Sequence, residues 1–132
     1  MIDSIFTKII RGEIPSYKIY EDDKTLAFLT IQPSCPGHTL VVPKKQVDKF
    51  YDLMDEDYIA LFAAVKKVAR RLEEVFGQRT LAKIIGTDVP HAHVHLFPLD
   101  PVRPHSDDLP FAKDEDLAAI AKKLRLLDEI AE

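Results

Sequence analysis

Three histidines alternate with apolar residues in the segment 90–98, which reads Pro-His-Ala-His-Val-His-Leu-Phe-Pro. Successive side chains of an extended strand point to opposite faces, so His91, His93 and His95 are expected on one face, with Ala92 and Val94 on the other. Each step of two residues spans about 6.6 Å, so the outer rings stand too far apart on a straight strand to hold one atom. The spacing favours a row of contacts along a ligand over a chelate.

Imidazole suits phosphorus chemistry because its ordinary pKa allows both a neutral nucleophile and a charged proton donor near neutral pH. A neutral His93 can attack phosphorus while a neighbouring ring protonates or hydrogen-bonds the leaving group. Water then hydrolyses the phosphoramidate that forms, so one difficult step becomes two easier ones. The row therefore predicts nucleophilic catalysis by its middle histidine.

A metal site is a different interpretation of the same row, because a His-x-His pair is a common half of a zinc site. Few further ligands lie in predicted regular structure, and the single cysteine, Cys35, lies in a separate turn. We therefore expect no metal. Outside the row, His38 either caps the turn at Pro36-Gly37 or lies beside the three histidines, and His105 is expected to be solvated in a loop.

Hydrophobic periodicity predicts the elements that must position these residues. Apolar residues at three-and-four spacing over 55–76, with acids in the first turn and Gly77 after the end, predict a long amphipathic helix. Shorter patterns predict a helix over 4–11 and a last one over 114–131. Runs of β-branched and aromatic residues predict five strands, at 17–21, 25–31, 38–43, 81–86 and 91–97.

The order of these elements is typical of an α+β fold rather than of a β-α-β winding. We expect a five-stranded, mainly antiparallel sheet with a long central helix, a short N-terminal helix and a C-terminal helix. No repeat or linker divides the chain, so residues 1–132 are expected to form one domain. Residues 99–113 are expected to form a proline-rich loop, because four prolines between 98 and 113 suit neither helix nor strand.

The composition of the chain argues against several classes of protein. Eighteen basic and twenty-two acidic side chains give a formal net charge of −4, which offers no positive field to a nucleic acid. A single cysteine excludes an intramolecular disulfide and suits a reducing compartment. The sequence starts Met-Ile-Asp-Ser without a basic region, and no apolar run approaches the ~18 residues that span a bilayer. We expect a cytoplasmic protein that binds neither nucleic acid nor membrane.

Four further segments accompany the histidine row. They read Ser-Ile-Phe-Thr-Lys-Ile-Ile-Arg-Gly-Glu-Ile-Pro at 4–15, Tyr-Glu-Asp-Asp at 20–23, Leu-Ala-Phe at 26–28 and Pro-Gly-His-Thr-Leu-Val-Val-Pro-Lys-Lys at 36–45. In order and spacing, these segments and the row resemble the histidine triad superfamily of nucleotide hydrolases and transferases, in particular its nucleotide-binding protein branch. The resemblance covers residues 4–98, and the tail after them is not diagnostic.

The resemblance implies a histidine-triad-like fold whose sheet pairs across a homodimer. It implies that a purine nucleotide binds with its α-phosphate at His93, the nucleophile, that His95 contacts the scissile phosphoryl group, and that His91 and His38 support them. The implied activity is that of a phosphoramidase or nucleotidyl hydrolase, acting on phosphoramidates or dinucleoside polyphosphates without a cofactor. The residues implied to bind the nucleotide are Ile5, Phe6, Ile9, Phe28, Thr30, Ile31, Leu40 and Thr87. The six apolar ones fit a base-binding slot or plain core equally well.

Three features depart from the family pattern. Many members carry Cys-x-x-Cys near the start as part of a structural zinc site, whereas this chain has Ser4 and Thr7, which are poor zinc ligands. Many have an aspartate for the ribose hydroxyls where this chain has Thr30, and one neutral hydroxyl does not replace a carboxylate. The usual asparagine and glycine-rich phosphate-binding turn give way to Gly-Thr-Asp-Val-Pro at 86–90, in a chain without asparagine.

Asp88 of this short turn has two interpretations. Its carboxylate either points inward and repels phosphate, or orients a histidine, as carboxylates do beside catalytic imidazoles. Thr87 and backbone amides are then left to hold phosphate oxygens, while Lys44 and Lys45 either offset charge or are solvated. The departures leave a second function open, that of a nucleotide-binding module that keeps the fold and has lost efficient phosphate chemistry.

Overall fold

A five-stranded sheet with three α-helices organises the protein, and the predicted α+β fold is confirmed. The computed structural model describes residues 2–99 and 111–126. The elements are α1 (Ile5–Ile10), β1 (Lys18–Glu21), β2 (Thr25–Leu29), β3 (Thr39–Pro43), a 3-10 helix (Phe50–Asp52), α2 (Asp55–Phe76), β4 (Thr80–Lys83), β5 (Val94–Pro98) and α3 (Asp114–Leu124). The strands lie in the order β1-β2-β3-β5-β4, and all neighbours are antiparallel.

The ends of α1 and α2 follow from local sequence. Ser4 caps α1, because its hydroxyl accepts the backbone N–H of Thr7 at 3.0 Å. Three acidic residues open α2 at its positive end, and Gly77 closes it in the left-handed conformation, with a φ of 68°. The structure has α2 with the predicted bounds.

The sheet separates two apolar clusters, and alternation along the strands assigns each residue to one of them. The α1 cluster consists of Phe6, Ile9, Leu26, Phe28, Leu40 and Val42. The larger α2 cluster includes Ala27, Leu29, Val41, Leu61, Val68, Leu72, Val94 and Leu96. Because Val94 and Leu96 face α2, His95 between them faces the side that α1 covers.

The predicted strand 91–97 is corrected to Val94–Pro98, so His91 and His93 precede β5. The last pair that joins β5 to β3 is Val41 with Val94. Two residues further along β3 stands Pro43, which has no N–H to donate to a continued ladder. The chain turns away instead, and the backbone N–H of Ala92 donates to the carbonyl of Val47 at 2.7 Å.

The predicted C-terminal helix over 114–131 is also corrected, because α3 ends at Leu124. The next residues bond to the edge of the sheet: Leu126 donates its backbone N–H to the carbonyl of Ile19 at 2.7 Å, and Nε of Arg125 donates to the carbonyl of Lys18 at 3.2 Å. These tertiary bonds compete with further helix. Residues 127–131 of the predicted helix lie outside the described residues.

Of the predicted proline-rich loop, residues 99 and 111–113 are described, and they form neither helix nor strand. Residues 100–110, which include His105, lie outside the described residues. Among the helices in the described part of the chain, none is both long enough and apolar enough to cross a membrane.

Candidate active site

Four histidine rings lie side by side next to the α1 cluster. The ring centroids of His38 and His95 are 5.2 Å apart, and those of His95 and His93 are 5.0 Å apart. Phe6 of α1 continues the row, since its ring centroid lies 5.0 Å from that of His93 and 5.8 Å from that of His91. The structure combines the two roles that the sequence left open for His38, since the ring lies beside the row and its Nδ1 accepts the backbone N–H of Ser34 in the turn.

His91 is fully buried and joins the row to α1. Its Nε2 lies 2.7 Å from the carbonyl oxygen of Pro43, which can only accept, so Nε2 carries the proton. Its Nδ1 therefore accepts the hydroxyl of Ser4 at 2.7 Å. Burial lowers the pKa of His91 from its ordinary value of 6.5 in spite of the bond to Pro43, and the neighbouring His93 lowers it further. His91 is therefore a neutral ring whose two nitrogens are both fixed by hydrogen bonds.

Ser4, Thr7 and Gln46 form a hydrogen-bonded group around His91. The Thr7 hydroxyl donates to Oε1 of Gln46 at 2.7 Å, and the same oxygen accepts the backbone N–H of Ser4 at 2.7 Å. Gln46 could not be predicted from the sequence, because nothing in the neighbouring sequence distinguishes it from a solvated turn residue. Ser4 and Thr7 could have been found from the sequence, because they are two hydroxyl residues at i, i+3 spacing in an apolar helix.

The side chains around His91 do not suit a metal ion. Ser4 and Thr7 offer neutral hydroxyls and Gln46 a neutral amide, whereas zinc prefers thiolate, imidazole and carboxylate ligands. Within residues 2–99 and 111–126, no group of three or more His, Cys, Asp or Glu side chains is placed to hold a metal ion.

His93 is oriented as a nucleophile. Its Nδ1 lies 2.8 Å from the carbonyl oxygen of His91, so Nδ1 carries the proton of that bond, and Nε2 of the neutral ring carries the lone pair. This buried Nε2 has no hydrogen-bond partner among the described residues. A ring nitrogen with an unengaged lone pair is what attack on phosphorus requires.

His38 and His95 hold their protons the other way round. The backbone N–H of Ser34 donates to Nδ1 of His38 at 3.0 Å, so His38 carries its proton on Nε2. That Nε2 donates to Nδ1 of His95 at 3.0 Å, and the neutral His95 then carries its own proton on Nε2. The row therefore places a lone pair on His93 and an N–H donor on the adjacent ring.

The residues that the resemblance assigns to the nucleotide fall into two groups. Four are buried together in the α1 cluster: Phe6, Ile9, Phe28 and Leu40. Ile5 and Ile31 lie outside it and are 50% and 52% exposed. The Thr30 hydroxyl accepts the backbone N–H of Gln32 at 3.2 Å, and Thr87 is exposed. The buried four pack in the core, whereas Ile5 and Ile31 present apolar surface to solvent.

The two lysines at the end of β3 are engaged with carboxylates. Nζ of Lys44 lies 2.8 Å from Oε2 of Glu21, and Nζ of Lys45 lies 3.2 Å from Oδ2 of Asp57. Asp88 brings a carboxylate to the row, since its Oδ1 lies 3.4 Å from Nε2 of His93. This contact fits both interpretations of Asp88, repulsion of phosphate and orientation of a histidine, so the choice between them stays a prediction.

A cavity of about 510 Å³ opens beside His93. Two segments form its other walls, the turn around Asp48 and Lys49 and the segment from Ile84 to Thr87. Thr87 was assigned from the sequence, but Asp48 and Lys49 were not, because no motif marks the turn that carries them.

In a comparison with known proteins, the family model described as HIT domain matches residues 11–102, which include all four histidines of the row. The chain belongs to the HIT family. The Bacillus subtilis HIT protein called Protein hit is 41% identical, over 91% of this chain and 93% of its own length.

Other HIT relatives carry more specific names. Adenosine 5'-monophosphoramidase HNT1 of Saccharomyces cerevisiae is 38% identical, over 71% of this chain and 61% of the yeast protein. Among solved structures, a Hit-like protein of Bartonella henselae, described as involved in cell-cycle regulation, superposes with a TM-score of 0.86 at 34% identity. That match covers 93% of this chain and 94% of the other.

Proposed function

We propose that this HIT protein is a hydrolase that releases a purine nucleoside monophosphate from a phosphoramidate or a related nucleotidyl substrate, with His93 as the nucleophile. The observation that carries the proposal is the lone pair on Nε2 of His93, fixed by the bond from Nδ1 to the carbonyl oxygen of His91. The monophosphoramidase relatives from yeasts support a hydrolase of this class.

The proposed reaction proceeds in two displacements. The lone pair of His93 Nε2 forms a bond to the α-phosphorus, and the bond from phosphorus to the leaving nitrogen breaks with its electron pair on that nitrogen, which takes a proton from solvent. Water then attacks phosphorus, the electron pair returns to Nε2, and a proton of the water passes to solvent. The Nε2–H of His95 donates to a phosphoryl oxygen in both steps and so stabilises the developing charge.

The base is proposed to rest on the exposed side chains of Ile5 and Ile31, with the buried Phe6, Ile9, Phe28 and Leu40 forming the floor beneath them. Thr30 and Thr87 are proposed to contact the ribose and the phosphate. A homodimer and a cytoplasmic location remain predictions that accompany this function.

Replacing His93 by asparagine tests the mechanism sharply. The Nδ2 of asparagine can keep the hydrogen bond to the carbonyl of His91, yet the side chain has no counterpart of Nε2. We expect turnover of adenosine 5'-phosphoramidate to fall at least about 10³-fold, as it does when a catalytic nucleophile is removed. Calorimetry should show retained affinity for the nucleoside monophosphate. Undiminished turnover would eliminate the covalent mechanism.

A second candidate function, a nucleotide-binding module without turnover, is favoured by one observation. His93 is 1% exposed and faces a carboxylate, so a phosphoryl group must displace Asp88 to reach it. Nucleotide affinity without turnover of phosphoramidates and dinucleoside polyphosphates would establish this function in place of the first.

A further inference from the structure

Asp88 places a negative charge at the position from which a phosphoryl group must approach His93. Its Oδ1 lies 3.4 Å from Nε2, whereas the Asp88 side chain is 64% exposed. In the neutral ring, Nε2 holds a lone pair, so the two atoms are both acceptors and no hydrogen bond joins them. The contact leaves the nucleophile unengaged, and an exposed side chain can rotate to admit a substrate.

The short turn 86–90 keeps Asp88 close to the site even when its side chain moves. Gly86 has a φ of 79°, a conformation that other residues rarely adopt. Val89 packs against the α1 cluster, and its carbonyl accepts the backbone N–H of His91 at 2.8 Å. Because the backbone is anchored directly after Asp88, the carboxylate stays within a few ångströms of any phosphoryl group bound at His93.

The described side chains that line the cavity beside His93 have no surplus positive charge to neutralise the Asp88 carboxylate. Among the described residues that line it, Lys49 is balanced by Asp48. Lys44 and Lys45 are paired with Glu21 and Asp57. Lys83 pairs with His95 across β4 and β5, so its side chain leaves the same face of the sheet as the row. The negative charge next to the nucleophile is therefore that of Asp88 itself, 3.4 Å from Nε2 of His93.

We propose that Asp88 is a specificity-determining residue that selects substrates with an amine leaving group over substrates whose leaving group is a polyphosphate. An amine adds no negative charge and can donate N–H hydrogen bonds to the carboxylate, whereas each additional phosphate brings repulsion. At about 6 Å and an effective dielectric constant of about 40, one unit of charge changes affinity about tenfold. The proposal rests on the proposed function and names the substrate class within it.

Asp88→Asn removes the charge and keeps the shape. The test compares kcat/KM for adenosine 5'-phosphoramidate and for diadenosine tetraphosphate, in the wild type and in the variant. We expect the ratio of kcat/KM for the tetraphosphate to kcat/KM for the phosphoramidate to rise about tenfold, because Asp88 repels the α-phosphoryl group of both substrates but the further phosphates of the tetraphosphate alone. Asp48→Asn, at a carboxylate that lines the cavity beside His93, is the matched control and should shift the ratio less.

Affinities measured by calorimetry separate this proposal from the proposed function. The ratio of Kd for ATP to Kd for AMP should fall about tenfold in Asp88→Asn, whether or not the wild type turns over a substrate. Absence of turnover with a shifted ratio would refute the hydrolase and keep the role of Asp88. An unchanged ratio in both assays, or an equal shift in Asp48→Asn, would overturn the assignment of selectivity to Asp88.

Discussion

Replacing Ser4 by alanine should destabilise the protein far more than the loss of one hydroxyl ordinarily does. The Ser4 hydroxyl accepts the backbone N–H of Thr7 at 3.0 Å and donates to Nδ1 of His91 at 2.7 Å, which is shorter than its 3.3 Å distance to the Thr7 hydroxyl. Losing a helix cap costs about 1 kcal/mol, and leaving a buried acceptor unsatisfied costs about 1–3 kcal/mol. We therefore expect the free energy of unfolding to fall by about 2–4 kcal/mol.

Urea unfolding followed by circular dichroism measures this loss, and the chain supplies a matched control. Ser16 also has a buried hydroxyl oxygen, but that oxygen has no hydrogen-bond partner among the described residues. Ser16→Ala should therefore change the free energy of unfolding by less than about 0.5 kcal/mol. Equal effects of the two substitutions, or a loss below about 1 kcal/mol for Ser4→Ala, would refute the account of His91 as a ring held by Ser4.

Two further predictions concern stability. Burial lowers the pKa of His91 from 6.5, so on acidification the unfolded chain binds a proton before the folded chain does. The free energy of unfolding should therefore fall below pH 6.5, by at most about 1.4 kcal/mol per pH unit. His91→Gln should lack this slope when urea unfolding is measured at several pH values. Gly37→Ala should lower the free energy of unfolding by about 2–4 kcal/mol, because φ is +93° and a Cβ would lie 2.7 Å from the Phe76 ring. The control Gly12→Ala has a φ of +81° but open space for a Cβ, so in the same assay it should lower this free energy by about 1 kcal/mol.

Local patterns were enough to predict most of the fold. The helix α2 carries its own periodicity, acidic first turn and terminal glycine, so nothing distant was needed to place it. The strands predicted at 25–31 and 81–86 also end early, at Leu29 and Lys83. The start of β5 and the end of α3 depend on partners far along the chain. β5 starts late because Pro43 lacks an N–H, and α3 stops early because Leu126 bonds to Ile19. Periodicity within a segment contains no information about such partners.

The candidate site, like the fold, could be predicted from the sequence only in part. Alternation and resemblance predicted which histidines matter, but not which nitrogen of each ring carries the proton. That assignment depends on carbonyl oxygens and N–H groups contributed by other segments, such as the carbonyl of Pro43 and the N–H of Ser34. The contact of Asp88 with His93 could not be predicted from the sequence, because the direction of a side chain in a short turn depends on how the turn packs against the rest of the protein.

The central claim is that Nε2 of His93 bonds covalently to the phosphorus of the substrate. Rapid mixing with adenosine 5'-phosphoramidate, denaturation at alkaline pH, where phosphorus–histidine bonds persist, and mass spectrometry of the peptides test it most directly. The account predicts a mass increase of one adenylyl group on the peptide with His93, formed before the steady state and absent in His93→Asn. Full turnover without that adduct, or an adduct on His95, would contradict it.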